Sequence, residues 1–337
     1  MTEQIDRPLD AQSQDPDPDP DPHSVVLGEA TRNGIVECRF RGSVVALDAS
    51  GAVVFERGTP RVAFYGRSAN KPIQAAAMVR LGLDLPSELL ALVCASHSGE
   101  ARHMVLVRHI LALAGLSEAE LQNSVFPPLG LQAQADLYRS GGEPNRLSGD
   151  CSGKHAGMLL TSKLNGWPLD TYLRADHPLQ KFITQTIKSY GGEEPSFIGV
   201  DGCGAPAHGL SLVALARCYA RISIDDDGIA HAMRRHPENV GGTGRDVTRL
   251  MQALPGVIAK DGADGVLAVS CPDGRTVTLK LADGSLAVRV PIALTVLESI
   301  GFDVSGAAAL RTVPIFGGGQ PVGEIRSHAG LVANRDQ

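Results

Sequence analysis

The stretch RSANKP at residues 67–72 places a serine, Ser68, three residues before a lysine, Lys71, and an apolar run starts at Ile73. Residues i and i+3 share a face of a helical turn, so the Lys71 amine can lie beside the Ser68 hydroxyl. An amine with a lowered pKa can act as the base that makes a serine nucleophilic. Because Pro72 disfavours the α conformation at Lys71, the Ser–Lys turn is predicted to be the first turn of its helix, in 3₁₀ form.

Two further motifs follow in chain order. SHSGE at residues 96–100 lies in a predicted loop and begins with Ser96. KDG at residues 260–262 lies at the end of a predicted strand and begins with Lys260. A second lysine beside the first adds positive field, which lowers its neighbour's pKa and attracts substrate charge. The order S-x-x-K, serine loop, K-x-G is that of penicillin-binding proteins and serine β-lactamases. Taken one at a time, the serines could equally be helix caps and the lysines surface residues.

The chain places strands at both ends and helices between them. Strands are predicted at 24–27, 35–40, 43–47, 52–55, 62–65, 257–259, 266–270, 276–281 and 320–325. Helices are predicted from 71 and at 87–94, 101–113, 152–164, 178–190, 210–222, 229–235, 247–254 and 290–300. We therefore predict an α+β fold with one catalytic domain at 24–337. Its antiparallel sheet is built from the N- and C-terminal segments, 24–66 and 256–337, with a helical region at 67–255 inserted between them.

Composition narrows the classes of function. The chain has 337 residues, a net charge of −6 and no basic block, which argues against nucleic acid as a partner. No run of about 18 apolar residues suggests a membrane span, and the N-terminus has no signal-peptide pattern. Six dispersed cysteines without an export signal predict reduced thiols and a cytoplasmic location. Residues 15–22 alternate Asp and Pro, so residues 1–23 are predicted to be a disordered acidic tail.

Two glycine-rich segments each present one cysteine. They are GDCSGKH at residues 149–155, with Cys151, and DGCG at residues 201–204, with Cys203. Two thiols and a nitrogen donor could hold a soft or borderline ion such as zinc. On spacing alone, two buried inert cysteines are the favoured interpretation, because no C-x-x-C or H-x-x-x-H pair is present. The remaining cysteines lie in apolar runs and are predicted to be core residues: Cys38, Cys94, Cys218 and Cys271.

Taken together, these motifs resemble the Rhizobium etli-type L-asparaginases over about residues 24–330. The resemblance implies a fold like that of serine β-lactamases and glutaminases, a homodimer, and hydrolysis of L-asparagine to L-aspartate and ammonia. It implies that two serines, Ser68 and Ser96, work with two lysines, Lys71 and Lys260. It also implies a zinc ion held by Cys151, Lys154 and Cys203, which reverses the preference for inert cysteines. The positions that match substrate-binding or metal-shell residues of that family are Arg67, His155 and Asp201.

The sequence therefore predicts an asparagine amidohydrolase that uses serine covalent catalysis. Ser68, activated by Lys71, attacks the side-chain amide, and Ser96 either relays protons between the lysines or attacks in its place. Arg67 or a nearby donor holds the substrate α-carboxylate, Asp201 holds the α-amine, and zinc orients the substrate. The alternatives are another serine amidohydrolase, acting on β-lactams or glutamine, and a non-catalytic zinc-binding protein.

Overall fold

The computed structural model describes residues 24–225 and 228–333. The acidic tail predicted at 1–23 lies outside the described residues. The strands are β1 Val25–Arg32, β2 Ile35–Leu47, β3 Val53–Arg57, β4 Phe64–Tyr65, β5 Phe197–Val200, β6 Pro206–Leu210, β7 Ile258–Gly262, β8 Val266–Ser270, β9 Thr276–Leu281, β10 Thr312–Gly317 and β11 Gln320–Ser327. The helices are α1 Lys71–Arg80, α2 Ser87–Val93, α3 Ala101–Leu113, α4 Leu131–Arg139, α5 Ser152–Leu164, α6 Pro178–Gly191, α7 Leu212–Ile224, α8 Ile229–Arg235, α9 Pro237–Val240, α10 Asp246–Ala253 and α11 Arg289–Ser299.

The main sheet joins the two ends of the chain. Its order is β10-β11-β1-β2-β9-β8-β7, with β3 beside β2, and the neighbouring strands pair antiparallel. Strands β7 and β8 are buried at every position, which requires cover on both faces. Helices α7 and α11 both pack against β8 and β9. The α+β class and the sheet built from both chain ends are confirmed.

The region predicted to be helical contains two strands, β5 and β6, that form with β4 a second sheet, which we did not predict. β4, β6 and β5 form a three-stranded antiparallel sheet in that order. The sequence signal is weak because β5 has only four residues and β6, PAHGL, contains a proline and a glycine, which are unfavourable in strands. The β5–β6 connection carries Asp201 and Cys203, so this small sheet positions residues of the candidate site.

One strand prediction and one cysteine prediction were wrong, and one strand was missed. The two strands predicted at 35–40 and 43–47 are one strand, β2, because Gly42 allows the backbone of Lys280 to approach closely. β10 was missed because it contains Pro314, which is tolerated at the edge position this strand occupies. Cys38 is exposed, since the first five residues of β2 are exposed.

The Ser–Lys turn has the predicted form. Residues Arg67–Asn70 make a 3₁₀ turn, and α1 follows directly from Lys71. Lys71 nevertheless adopts helical angles, φ −59° and ψ −42°, immediately before Pro72. The helix is buried from Lys71 to Met78, so the lysine enters the protein interior instead of reaching solvent. No helix in the described ranges is long and apolar enough to cross a membrane.

Candidate active site

A cleft of about 470 Å³ collects residues from all the predicted motifs. The start of α1, the loop after α2, the segment before α5, the β5–β6 connection and the end of β7 all contribute to its walls. Its charged and nucleophilic lining consists of Arg67, Ser68, Lys71, Ser96, Asp150, Cys151, Asp201, Cys203, Arg245, Asp261, Asp264 and Arg289. Serine, lysine and carboxylate groups in one pocket are the ingredients of amide or ester hydrolysis.

Lys71 contacts Ser96 and Asp150 at the base of this cleft. Its Nζ lies 2.9 Å from the Ser96 Oγ and 3.1 Å from the Asp150 Oδ2. The Lys71 side chain is only 3% exposed. Burial raises the pKa of the Asp150 carboxyl, but the nearby Lys71 ammonium outweighs it, so the net pKa lies below the usual value. No role for Asp150 was predicted from the sequence. The only feature that could have indicated one is its position before Cys151 in a glycine-rich loop.

Ser68 lies in the cleft but does not bond to Lys71. Its side chain is half-buried and lines the pocket, whereas Ser96 is only 4% exposed. Within residues 24–225 and 228–333, the Ser68 hydroxyl has no hydrogen-bond partner, while the Ser96 hydroxyl is held by Lys71. The i,i+3 spacing brought both residues to the site, but the amine turns towards Ser96 and the Asp150 carboxylate.

Lys260 is fully buried behind Asp261 and is not part of the cleft wall. Its Nζ donates to the Asp261 backbone carbonyl at 2.7 Å and to the Asp261 Oδ1 at 2.5 Å. The other oxygen of Asp261 accepts from the Arg245 Nη2 at 2.6 Å. Burial lowers the pKa of Lys260 to about 8, against the opposing effect of Asp261 and with help from Lys71. Lys260 can therefore influence the site through its charge, not by touching substrate.

Arg67 joins two carboxylates at another part of the cleft. Its Nε donates to the Asp201 Oδ1 at 2.9 Å, and its Nη1 donates to the Asp264 Oδ2 at 2.6 Å. Asp201 also accepts the backbone N–H of Gly202, which fixes its orientation in the β5–β6 turn. Arg67 has a φ of +51°, a left-handed conformation that costs about 1–3 kcal/mol and is retained where surrounding contacts impose it.

The rest of the SHSGE motif supports the walls of the site. The Ser98 hydroxyl donates to the Gly241 carbonyl at 2.9 Å, and Glu100 accepts from the backbone and hydroxyl of Thr243. These bonds hold the loop that leads to Arg245. His97 accepts the Gly99 N–H at its Nδ1 and is paired with the Ser152 hydroxyl at its Nε2. Because burial lowers its pKa well below the usual value, His97 is neutral and structural.

Cys151, His155 and Cys203 form a buried group that could hold a metal ion. Their ligand atoms all lie within 4.8 Å of one another. The Nδ1 of His155 is 2.8 Å from the Tyr172 hydroxyl, and its buried Nε2 has no hydrogen-bond partner among the described residues. Burial lowers the pKa of His155 to about 4, so the ring is neutral and can offer a lone pair. Two sulfurs and a neutral imidazole are a donor set that suits zinc.

Lys154, which the family resemblance implies as a zinc ligand, lies beside this group. Its Nζ donates to the Cys203 Sγ at 3.2 Å, and the residue is buried. Burial lowers the pKa of Lys154, but the sulfurs of Cys203 and Cys151 raise it more, so the amine is an ammonium in this arrangement. A metal would have to displace that proton before Lys154 could bind it. His155 lies with the cysteines and does not line the cleft.

Serines, a buried lysine and carboxylates in one cleft are the groups that many hydrolases use. Residues 29–327 match the sequence profile of the L-asparaginase II family, and the chain belongs to this family. It is therefore an enzyme of the asparaginase type, an amidohydrolase whose small-molecule substrate is asparagine. The comparison with curated proteins found no match.

A similar solved structure is that of a β-lactamase from Mycobacterium bovis. It is 13% identical to this chain, and the alignment covers 81% of this chain and 95% of that one, with a TM-score of 0.38. At that score the likeness carries no weight for the function of this chain. The family assignment rests on the profile match alone.

Proposed function

We propose that the chain hydrolyses the side-chain amide of L-asparagine through an acyl-enzyme, with a zinc ion beside the substrate. The observation that supports this most strongly is the contact of the buried Lys71 amine with Ser96 and Asp150, in the same cleft as the unpartnered Ser68 hydroxyl. A base within hydrogen-bond reach of a hydroxyl, itself oriented by a third group, is the arrangement that activates serine nucleophiles.

In the proposed mechanism, Ser68 is the nucleophile because it lines the cleft and its hydroxyl has no hydrogen-bond partner in the part of the chain that the structure describes. Its Oγ attacks the amide carbonyl carbon, and its proton passes through the Ser96 hydroxyl to the Lys71 amine, once Lys71 has given its own proton to the Asp150 carboxylate. The C–N bond then breaks, Lys71 returns the proton to the leaving nitrogen, and ammonia departs. A water molecule attacks the aspartyl ester and gives its proton to Lys71. The ester C–O bond breaks and Ser68 regains a proton as aspartate leaves.

The remaining charged residues have supporting roles in this proposal. Asp150 aligns the Lys71 amine with Ser96, and Lys260 adds positive field from behind Asp261. Asp201 receives the substrate α-ammonium, and a cationic donor in the cleft receives the α-carboxylate. Zinc would be held by Cys151, Cys203 and a nitrogen of His155 or Lys154, and it would supply a fixed positive charge beside the polar end of the substrate. The homodimer and the cytoplasmic location stay predictions.

The central experiment is an assay of ammonia release. The purified chain should release ammonia from L-asparagine, and L-aspartate should accumulate in equal amounts. Acid quenching during turnover, followed by peptide mass spectrometry, should find an aspartyl ester on the peptide that carries Ser68. An ester on the peptide that carries Ser96 would exchange the roles of the two serines. Absence of ammonia release from both asparagine and glutamine would overturn the proposed function.

The charge of Lys260 predicts a pH dependence. Its pKa is about 8, and the proposed role needs the ammonium form, so kcat/KM should fall as pH rises through about 8. Burial is the main cause of the lowered pKa, and Asp261 opposes it. Asp261→Asn should therefore move the alkaline limb of a kcat/KM–pH profile to lower pH. Asp273→Asn, in the β8–β9 turn, is the matched control and should leave the limb in place. A limb that moves upward in Asp261→Asn would contradict this role.

The cysteine group predicts a metal content. Elemental analysis of the purified chain should find zinc, and Cys151→Ser should lower the bound zinc at least about tenfold, because the ligand thiolate is lost. Cys38→Ser is the matched control, since Cys38 is exposed and distant from this group in sequence and on β2. Equal zinc in the two variants would remove Cys151 from the ligand set. Comparing His155→Ala with Lys154→Met would identify the nitrogen ligand.

A further inference from the structure

The three arginines of the cleft differ in how many of their donors are already used. Arg289 is only 2% exposed, and its guanidinium donates to the carbonyls of Leu286, Gly262 and Val266 and to the carboxylate of Asp246. These bonds tie α11 to the turn between β7 and β8 and to α10. A guanidinium has five N–H groups, and Arg289 donates four hydrogen bonds to the protein.

Arg67 uses two of its N–H groups in ion pairs, and its surroundings carry excess negative charge. One cation faces two carboxylates, Asp201 and Asp264, so this group has one negative charge in excess. A carboxylate placed there would meet repulsion, whereas an ammonium would be attracted. This end of the site therefore suits the α-ammonium of an amino acid, in agreement with the role proposed for Asp201.

Arg245 has the opposite surroundings. Its guanidinium has one hydrogen-bond partner within the described ranges, the Asp261 carboxylate, and its side chain is 24% exposed. Asp261 divides its two oxygens between Arg245 and Lys260. Two cations share one carboxylate, which leaves one positive charge in excess while Lys260 is protonated. Most of the Arg245 donors remain available to a ligand in the cleft.

The backbone that carries Arg245 is held firmly. Ser98 bonds to the Gly241 carbonyl, and both oxygens of Glu100 accept from Thr243. Arg102 adds a bond to the Thr243 hydroxyl at 2.8 Å. Arg245 thus lies on a loop fixed by hydrogen bonds, and the N–H groups that do not bond to Asp261 remain available. Such an arginine is preorganised to bind a planar anion.

From these observations we propose that Arg245 binds the substrate α-carboxylate and thereby restricts the enzyme to free α-amino acids. The cleft would recognise the ammonium at Asp201 and the carboxylate at Arg245, with the side-chain amide directed to the serines. This inference rests on the proposed function, because it assigns the recognition step of the same reaction. It excludes amides whose α-carboxylate is esterified or lies within a peptide bond.

The test compares two substrates that differ only at the α-carboxylate. L-asparagine and its α-methyl ester each contain a single amide, so ammonia can come only from the side chain. Arg245→Gln should lower kcat/KM for L-asparagine about 30-fold or more, mainly through KM, because an ion pair to a largely desolvated carboxylate is lost. The methyl ester should be almost unaffected. The preference of the wild-type enzyme for the free acid should therefore disappear in the variant.

Two controls separate recognition from a structural role. Arg249→Gln changes an exposed arginine on α10, the helix that begins directly after Arg245, and should leave both substrates unaffected. Adding guanidinium to Arg245→Ala should restore part of the activity on L-asparagine and none on the ester. An equal loss of kcat/KM for the two substrates, or no loss for L-asparagine, would overturn the assignment.

The outcome stays interpretable if the proposed reaction itself fails. Should the wild-type chain release no ammonia, calorimetric titration of L-asparagine and of its methyl ester would still test whether Arg245 binds the α-carboxylate. The inference then requires that the wild-type protein binds the free acid more tightly than the ester, and that Arg245→Gln abolishes this difference. Equal affinities for the two compounds in the wild-type protein would overturn it.

Discussion

Replacing Lys71 with methionine should reduce kcat/KM for L-asparagine by about 10³-fold or more, since general-base catalysis contributes about 10²–10⁴-fold and no other amine contacts Ser96 in the described residues. Methionine has nearly the length of the lysine side chain and fills the same buried space. The loss should therefore lie in kcat. Steady-state ammonia release at saturating and limiting asparagine measures the two parameters separately.

A loss of activity in Lys71→Met could also come from misfolding, because the change leaves the Asp150 carboxylate without its partner. That side chain is 25% exposed, and breaking a pair of this kind costs up to about 3–5 kcal/mol when it is fully buried. The double variant Lys71→Met/Asp150→Asn removes both charges and is the matched control. Its thermal unfolding should return towards the wild-type midpoint, while its activity stays as low as that of Lys71→Met. Recovery of activity together with stability would show that Lys71 is a structural residue.

The features of the site that could be predicted from the sequence are those set by neighbouring residues in the chain. The Ser68–Lys71 turn, its 3₁₀ form and the burial of its helix follow from the i,i+3 spacing, Pro72 and the apolar run. The strand that carries Lys260, β7, follows from the β-branched residues Val257 and Ile258. These features are local, so propensity and periodicity are sufficient to predict them.

What escaped prediction depends on contacts between distant parts of the chain. The spacing suggested that Lys71 would meet Ser68, but a long flexible side chain bonds to whichever partner the fold supplies. Here that partner is the Asp150 carboxylate, 79 positions away, together with Ser96. Similarly, β4 places Arg67 against the β5–β6 turn with Asp201, through a sheet whose strands are too short to be recognised from sequence.

The sequence also could not show which carboxylates pair with which arginine or lysine of the cleft. Arg67, as the arginine next to the nucleophilic serine, was the natural choice for the substrate carboxylate. Its two carboxylate partners come from β5–β6 and from the β7–β8 turn, and neither is close to it in sequence. No role was predicted for Arg245, because it lies in a loop that contains none of the recognised motifs. The charge around each guanidinium distinguishes the two residues, because Arg67 faces two carboxylates whereas Arg245 shares one carboxylate with Lys260.

The second large effect is expected for Ser68→Ala, which should lower kcat about 10⁴-fold or more, because loss of a covalent nucleophile removes the acylation route entirely. Ser96→Ala should be milder, about 10²–10³-fold, because a water molecule can occupy the space of the lost hydroxyl and carry the proton to Lys71. Neither change should affect folding strongly, since Ser68 has no side-chain hydrogen bond in the described ranges and Ser96 loses one.

The order of these two effects decides which serine is acylated. Single-turnover kinetics with L-asparagine, with acid-quench mass spectrometry of each variant, measures acylation directly. Ser96→Ala should still form an aspartyl ester on Ser68, more slowly than the wild-type enzyme, whereas Ser68→Ala should form none. Ser162→Ala, a buried serine on α5 outside the cleft, is the matched control and should behave as the wild type. An ester on Ser96 in the Ser68→Ala variant, with most activity retained, would identify Ser96 as the nucleophile and Lys71 as its direct base.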